Sequence, residues 1–172
     1  MGLFVKSRKA PKTLSSIPVR HATSGDVSDV VKLAKSLSIA DGQHPSRLTE
    51  EAYLRDGFGK NPAFAALVAE VDHRIVGYAL YFEGYDTGRA ARGLYLSDLY
   101  VDQAWRRQGI GRALMQATAH ACKEMGGEWM FWSVLKRNKN ARKFYRTIAP
   151  EISDLIVCVT VGESFRKLST PN

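Results

Sequence analysis

The residues best suited to chemistry form one short run, Arg106-Arg107-Gln108-Gly109-Ile110-Gly111-Arg112. It follows an apolar stretch at 94–101 and precedes a segment whose apolar residues recur every three or four positions. A glycine-bearing turn between a strand and a helix start is an anion site, because free N–H groups and the positive end of the helix dipole face the ligand. Two glycines let the backbone approach closely, and guanidinium groups suit phosphate oxygens. A dinucleotide fingerprint would need a third glycine where Leu114 stands, and no Gly-Lys-Ser/Thr of a P-loop follows. The same residues also fit a plain strand–helix turn with solvated arginines.

The charge distribution points to the same place. The chain has 172 residues, 25 Lys+Arg and 17 Asp+Glu, for a net charge of +8. Residues 104–146 hold ten basic side chains against Glu124 and Glu128, and residues 1–16 hold four with no acid. The remainder is net acidic. A basic chain raises nucleic acid or an anionic surface as partners. Here the excess gathers around glycine turns instead of lining one long helix face, which argues against nucleic acid.

Composition removes other classes. At 45% hydrophobic and 24% charged, the chain has the material for a core. Cys122 and Cys158 are too few for a disulfide scaffold, no Cys/His spacing suggests zinc, and both read as buried thiols. No metal is expected. No apolar run approaches the roughly 20 residues that span a bilayer, and the stretch 2–5 is too short for a signal-peptide core. Lys6 stands where myristoylation would want Ser or Thr. The expectation is a reduced, cytoplasmic protein with no membrane partner: a flexible basic leader, 1–16, and a single domain, 17–168.

The elements that must position the turn follow from periodicity. Residues 17–22 read as a short strand, 26–38 as a helix opened by Thr23 or Ser24, and Thr49 opens another short helix ending near Gly57. Strands at 65–71 and 75–82 flank the hairpin signal Asp72-His73-Arg74; 84–93 reads as a loop and 94–101 as the next strand. Residues 108–125 are helical and end at Gly126-Gly127, 129–135 form a strand, and 138–146 a short helix. A β-branched strand at 155–161 closes the domain, which frays after Leu168. This order is mixed α/β, with antiparallel hairpins first and a parallel crossover later.

The spacing Arg106-x-x-Gly109-x-Gly111 resembles the acyl-CoA pyrophosphate loop of the GNAT superfamily of N-acetyltransferases. Asn138-x-x-Ala141-x-x-Phe144-Tyr145, after the next strand, resembles that family's second cofactor motif. Leu67-Val68-Ala69-Glu70-Val71, Ile75-Val76-Gly77-Tyr78-Ala79 and Leu94-Tyr95-Leu96-Ser97-Asp98-Leu99-Tyr100-Val101 resemble the diamine (spermidine/spermine) and thialysine branch. The resemblance covers about residues 17–165. It implies an α/β (α+β) fold with a mixed central sheet, splayed parallel strands and flanking helices. It also implies acetyl transfer from acetyl-CoA to a primary amine by direct attack in a ternary complex, and a homodimer, for which the apolar strand expected at 155–161 is a candidate contact.

Residue roles follow from the resemblance. Leu99, Tyr100 and Val101 would offer backbone groups to the pantetheine amides, with the Leu99 N–H polarising the thioester carbonyl. Arg106, Arg107, Gln108, Gly109, Ile110, Gly111 and Arg112 would hold the pyrophosphate. Asn138, Ala141 and Arg142 would complete the cofactor side, although Asn138 equally suits a helix N-cap and Arg142 a solvated helix face. Tyr145 would give a proton to the departing thiolate. Asp41, Phe131, Trp132 and Ser133 match the amine side.

Two positions depart from the family. The diamine branch carries Glu where this chain has Ser97, which weakens attraction for a polyamine and leaves the general base open. Asp98 remains, but strand neighbours face opposite sides, so Asp98 would point away if position 97 faces the site. Glu70, Glu83 and Asp86 are further acids near the hairpin. Ala149 stands where the family has glycine, which puts the entry to the last strand in question. A GNAT enzyme acting on a protein N-terminus, lysine or another small amine, a nucleic-acid module and a CoA-binding regulator are the alternatives.

Overall fold

The computed structural model describes residues 17–170, so the expected leader 1–16 lies outside the described residues. The chain divides at Leu135/Lys136 into two compact units.

The first unit is built on a five-stranded sheet in sequential order: β1 (Val19–His21), β2 (Ala65–Val71), β3 (Arg74–Asp86), β4 (Ala91–Val101) and β5 (Trp129–Trp132). The first four strands are antiparallel to their neighbours, and β4 and β5 run parallel. The connection between those two is the helix α3 (Ile110–Glu124), as a parallel crossover requires. Helices α1 (Val27–Ala40) and α2 (Glu50–Phe58) link β1 to β2.

Local chemistry sets the boundaries. The Asp26 carboxylate accepts from the Thr23 N–H and hydroxyl ahead of α1, and Thr49 Oγ1 accepts from the Ala52 N–H to start α2. Asp72 and His73 both take positive φ, the twist a two-residue hairpin needs. One sheet face packs Val68, Tyr78 and Tyr100 against Val30, Val31 and Ala34 of α1 and Tyr53 of α2. The other packs against α3, whose buried side is Ile110, Leu114, Met115, Thr118 and Cys122. Burial pushes the Cys122 thiol pKa up, and its Sγ donates to the Trp129 carbonyl.

The expected loop at 84–93 is instead the far half of a long hairpin. Gly84 and Gly93 are cross-strand partners, and Gly93 is buried under the Trp129 ring. Glycine is required there for close aromatic packing, not for a turn. The reversal sits at 87–90, where Asp86 accepts from the Arg89 N–H and Ala90 has positive φ.

The second unit holds α4 (Lys139–Tyr145) and α5 (Gly162–Ser169). The strand expected at 155–161 is absent. No strand among the described residues pairs with that run, and its side chains are exposed, Ile156 at 84% and Val159 at 81%. β-propensity without a ladder partner does not make a strand. Cys158, expected buried, is exposed with it. The sequence predicts no helix at 162–169; α5 forms there, with Glu163 and Lys167 paired at 2.9 Å, and ends one residue past Leu168. The strand expected over 129–135 ends at Trp132.

Candidate active site

The open edge of β4 is the centre of the candidate site. Parallel pairing runs from Gly93↔Trp129 to Leu96↔Trp132 and then stops, while β4 continues to Val101. Beyond Leu96, no described strand pairs with that edge, so Ser97, Asp98, Leu99, Tyr100 and Val101 present it to whatever fills the gap. An extended, amide-bearing chain is the natural partner of such an edge. Trp132 is half-buried and Ser133 exposed at the point where β5 ends.

The glycine turn follows at once. Arg106 Nε donates to the Val101 carbonyl at 2.9 Å, and its guanidinium lies 5.3 Å from the centre of the Tyr100 ring. Arg106 thereby fastens the turn to the end of β4. Arg107 and Gly109 take φ of 65° and 88°. Gly109 is the N-cap of α3, and among the described residues no side-chain cap bond forms there. A helix start of this kind turns its first N–H groups and the positive end of its dipole toward an anion. Ile110 is buried in the core, Gly111 is half-buried, and Arg107, Gln108 and Arg112 are exposed around the turn.

A β-bulge lies within the opened stretch. Leu96 pairs with Tyr81 and Asp98 with Leu80, which leaves Ser97 as the extra residue. The expected alternation is broken there. Leu96 shares the α3 face with Tyr81, whereas Asp98 shares the α1 face with Leu80 and Tyr78. The Tyr78 hydroxyl donates to Asp98 Oδ2 at 2.7 Å, and Ser97 Oγ donates to Oδ1 at 3.2 Å. Burial first, then the Asp98 charge, pushes the Tyr78 pKa far above the usual phenol range, so Tyr78 is a lasting donor.

The other acidic candidates are engaged. Glu70 accepts from Arg20, Asp86 pairs with Arg89, and Glu83 stands 3.7 Å from Arg92. Asp41 forms the C-cap of α1, its N–H donating to the Leu37 carbonyl. Phe131 meets Tyr95 edge-on at 5.8 Å, and Tyr95 stacks on Phe82 at 5.3 Å. Sequence reasoning read Phe82 and Tyr95 only as strand residues; their common face depends on register, which no single segment encodes.

In the second unit, Asn138 Oδ1 accepts from the Ala141 N–H at 3.1 Å and caps α4. Arg142 makes a two-point pair with Glu151 at 2.9 and 2.8 Å, and Arg146 adds a third contact to the same carboxylate. Those guanidinium groups, Arg142 foremost, hold the Glu151 pKa down to about 2. Tyr145 is half-buried, with its ring centre 5.3 Å from that of Phe144, and its carbonyl accepts from Ile148 and Ala149.

Among the described residues no group of three or more His, Cys, Asp or Glu is placed to hold a metal, and no helix is long and apolar enough to cross a membrane.

The comparisons with known proteins agree with this geometry. Thialysine N-epsilon-acetyltransferase of Sus scrofa is 33% identical over 144 residues, covering 78% of this chain and 84% of that protein. Spermidine/spermine N(1)-acetyltransferase-like protein 1 of Homo sapiens is 34% identical over 137 residues, covering 74% of this chain and 19% of that protein. Among solved structures, an integron cassette protein from V. cholerae superposes with a TM-score of 0.75 at 20% identity, covering 91% of this chain and 99% of that one. An aminoglycoside acetyltransferase from an uncultured soil metagenomic sample gives 0.69 at 24%, covering 85% and 95%. The profile of the acetyltransferase (GNAT) family matches residues 31–148, from α1 through the opened strand, the glycine turn and α4. A sheet that parts after Leu96, leading into a glycine turn, thus belongs to an N-acetyltransferase: the chain is a member of the GNAT family.

Proposed function

We propose that the enzyme moves an acetyl group from acetyl-CoA to a small primary amine, the two substrates being held together while the amine attacks the thioester. The observation that carries this reading is the β4 edge, which no described strand pairs beyond Leu96, running straight into the glycine-capped start of α3. The edge at Leu99, Tyr100 and Val101 suits the pantetheine amides. The turn from Arg106 to Arg112 suits the pyrophosphate, with Arg107, Gln108 and Arg112 exposed beside Gly109. Asn138, Ala141 and Arg142 are assigned to the cofactor side from their motif, Asn138 through the α4 terminus that it caps. Tyr145 is assigned the proton for the departing thiolate on the same ground. The amine side takes Asp41, Ser97, Phe131, Trp132 and Ser133.

Relatives named for thialysine and for spermidine/spermine support a small-amine substrate. A homodimer belongs to the same reading, supported by the exposed apolar run at 152–161, which a second copy would cover. So does a cytoplasmic location, where Cys122 and Cys158 stay thiols.

The test has two readouts. Acetyl-CoA is expected to raise the melting temperature by mass action, and addition of a good amine to release free thiol. A protein whose melting temperature ignores acetyl-CoA, and which releases no thiol with polyamines, thialysine, lysine or peptide N-termini, would not have this function.

A further inference from the structure

The sheet brings the start of β1 to the same end as the glycine turn. Val19 pairs with Ala69, Ala69 with Gly77 and Gly77 with Val101, so one rung runs from β1 across to the last residue of β4. The chain just ahead of β1 stays at that end. The Pro18 carbonyl accepts from the Glu70 N–H at 3.1 Å, and a Cβ placed on Gly109 would stand 3.5 Å from Ile17 Cδ1, in ordinary contact. Ile17 therefore packs beside the N-cap of α3. Residues 1–16 join the fold at the very turn assigned to the pyrophosphate.

Residues 1–16 carry Lys6, Arg8, Lys9 and Lys12 and no acid. The acids of the fold at this end are already engaged by neighbours or matched by arginine. Arg20 holds both Asp26 and Glu70, Asp102 accepts from the Ala104 N–H, and Asp72 shares its hairpin with Arg74. Of the turn's own arginines, Arg106 is occupied with the Val101 carbonyl and the Tyr100 ring. Four further cations at this place exceed what the fold needs, and they are complementary to a strongly anionic ligand. Reach is not limiting. Lys12 precedes Ile17 by five residues, a span of at most about 18 Å, and Lys6 by eleven, at most about 40 Å.

We infer that the basic leader, through Lys6, Arg8, Lys9 and Lys12, is a second phosphate-binding element of this enzyme, whose cations add to those of the glycine turn and raise its affinity for CoA over dephospho-CoA. The inference rests on the acetyl transfer proposed above and adds what holds the phosphorylated end of the donor. In that reading the pyrophosphate belongs at the turn, and the 3′-phosphate of CoA, a monoester, brings a further charge of about −1.5 to −2. Cations carried on the chain that enters beside Gly109 are placed to meet it. A nucleic acid or an anionic lipid surface also draws a basic segment. The packing of Ile17 against the glycine turn, not on an open face of the fold, favours the smaller ligand. The attraction is coulombic and made in water, so salt controls it: the screening length falls from about 10 Å at 0.1 M to about 3 Å at 1 M.

The experiment titrates CoA and dephospho-CoA calorimetrically into the full chain and two variants. One combines Lys6→Gln, Arg8→Gln, Lys9→Gln and Lys12→Gln; the other combines Lys6→Arg, Lys9→Arg and Lys12→Arg and keeps the charge. At low salt the glutamine variant is expected to bind CoA about three- to tenfold more weakly and dephospho-CoA by a smaller factor, and the difference should vanish near 1 M salt. The arginine variant should bind CoA as the parent does. Equal melting temperatures without ligand report that all three are folded. A direct readout accompanies these: saturating CoA should slow the labelling of Lys9 and Lys12 by an amine-reactive reagent. Four results would overturn the inference while the acetyl transfer stood. They are equal CoA affinity in parent and glutamine variant at low salt, equal losses for CoA and dephospho-CoA, an arginine variant as weak as the glutamine one, and loss of binding to DNA or to anionic vesicles with CoA binding intact. A parent that neither binds CoA nor releases thiol would overturn both.

Discussion

Arg20 grips Asp26 with two nitrogens, Nη1 to Oδ2 at 2.7 Å and Nη2 to Oδ1 at 2.9 Å. The Arg20 guanidinium first, then the Thr23 N–H and hydroxyl, hold the Asp26 carboxyl well below the usual carboxylate range. A carboxyl lowered on folding adds stability above its unfolded pKa of about 3.9, and that stability is lost as pH falls further. Denaturant midpoints should therefore drop below about pH 4. Asp26→Asn should lose about 1–2 kcal/mol at pH 7, a figure reduced because Arg20 is partly exposed, and its acid dependence should be flatter. An equally steep acid loss in the variant would assign the effect to other groups.

Arg107 takes a φ of 65°, a conformation glycine adopts without cost and arginine does not. Arg107→Gly relieves that strain but adds freedom to the unfolded chain, so stability should change by no more than about 1 kcal/mol in either direction. Acetyl-CoA affinity should nevertheless fall, because a guanidinium leaves the turn. Calorimetric titration with CoA, set beside a melting curve, separates the two effects. Undiminished affinity would mean that Arg107 faces solvent alone.

Gly93 lies under the Trp129 ring at the first rung of the β4–β5 ladder. A methyl group there meets the indole directly. Gly93→Ala should cost about 1–3 kcal/mol, as overpacking does, and should lower activity along with stability. A melting temperature equal to the parent's would show that Trp129 moves aside freely.

Tyr145→Phe should bind acetyl-CoA as the parent does and release thiol about a hundredfold more slowly with a good amine. The difference should shrink with acyl donors whose leaving group needs no proton. Equal rates would take the acid role from Tyr145.

Much of this was legible in the residues themselves. The helical period from Ile110 onward and the glycines ahead of it locate α3 and its turn, because both signals are local. Thr49 announces α2 for the same reason. What was not legible depends on partners distant in sequence. Gly84 and Gly93 look like loop residues until Trp129 is placed over the latter. The run at 155–161 has the composition of a strand and no described ladder. Arg142 looks available until Glu151 closes on it. Asp98 was read as facing away from position 97, and one extra residue in β4 removes the alternation that reading assumed.

The placement of the tryptophans gives the opened strand an optical consequence. Trp129 and Trp132 stand at the first and last rungs of the β4–β5 ladder, and the Trp129 indole N–H is tied to the Ala91 carbonyl at 3.0 Å. Trp105 sits on the turn that leads into Arg106. These are all three indoles of the chain. Native fluorescence, with no label attached, therefore samples both rims of the gap: the point where the strands part, and the turn where α3 begins.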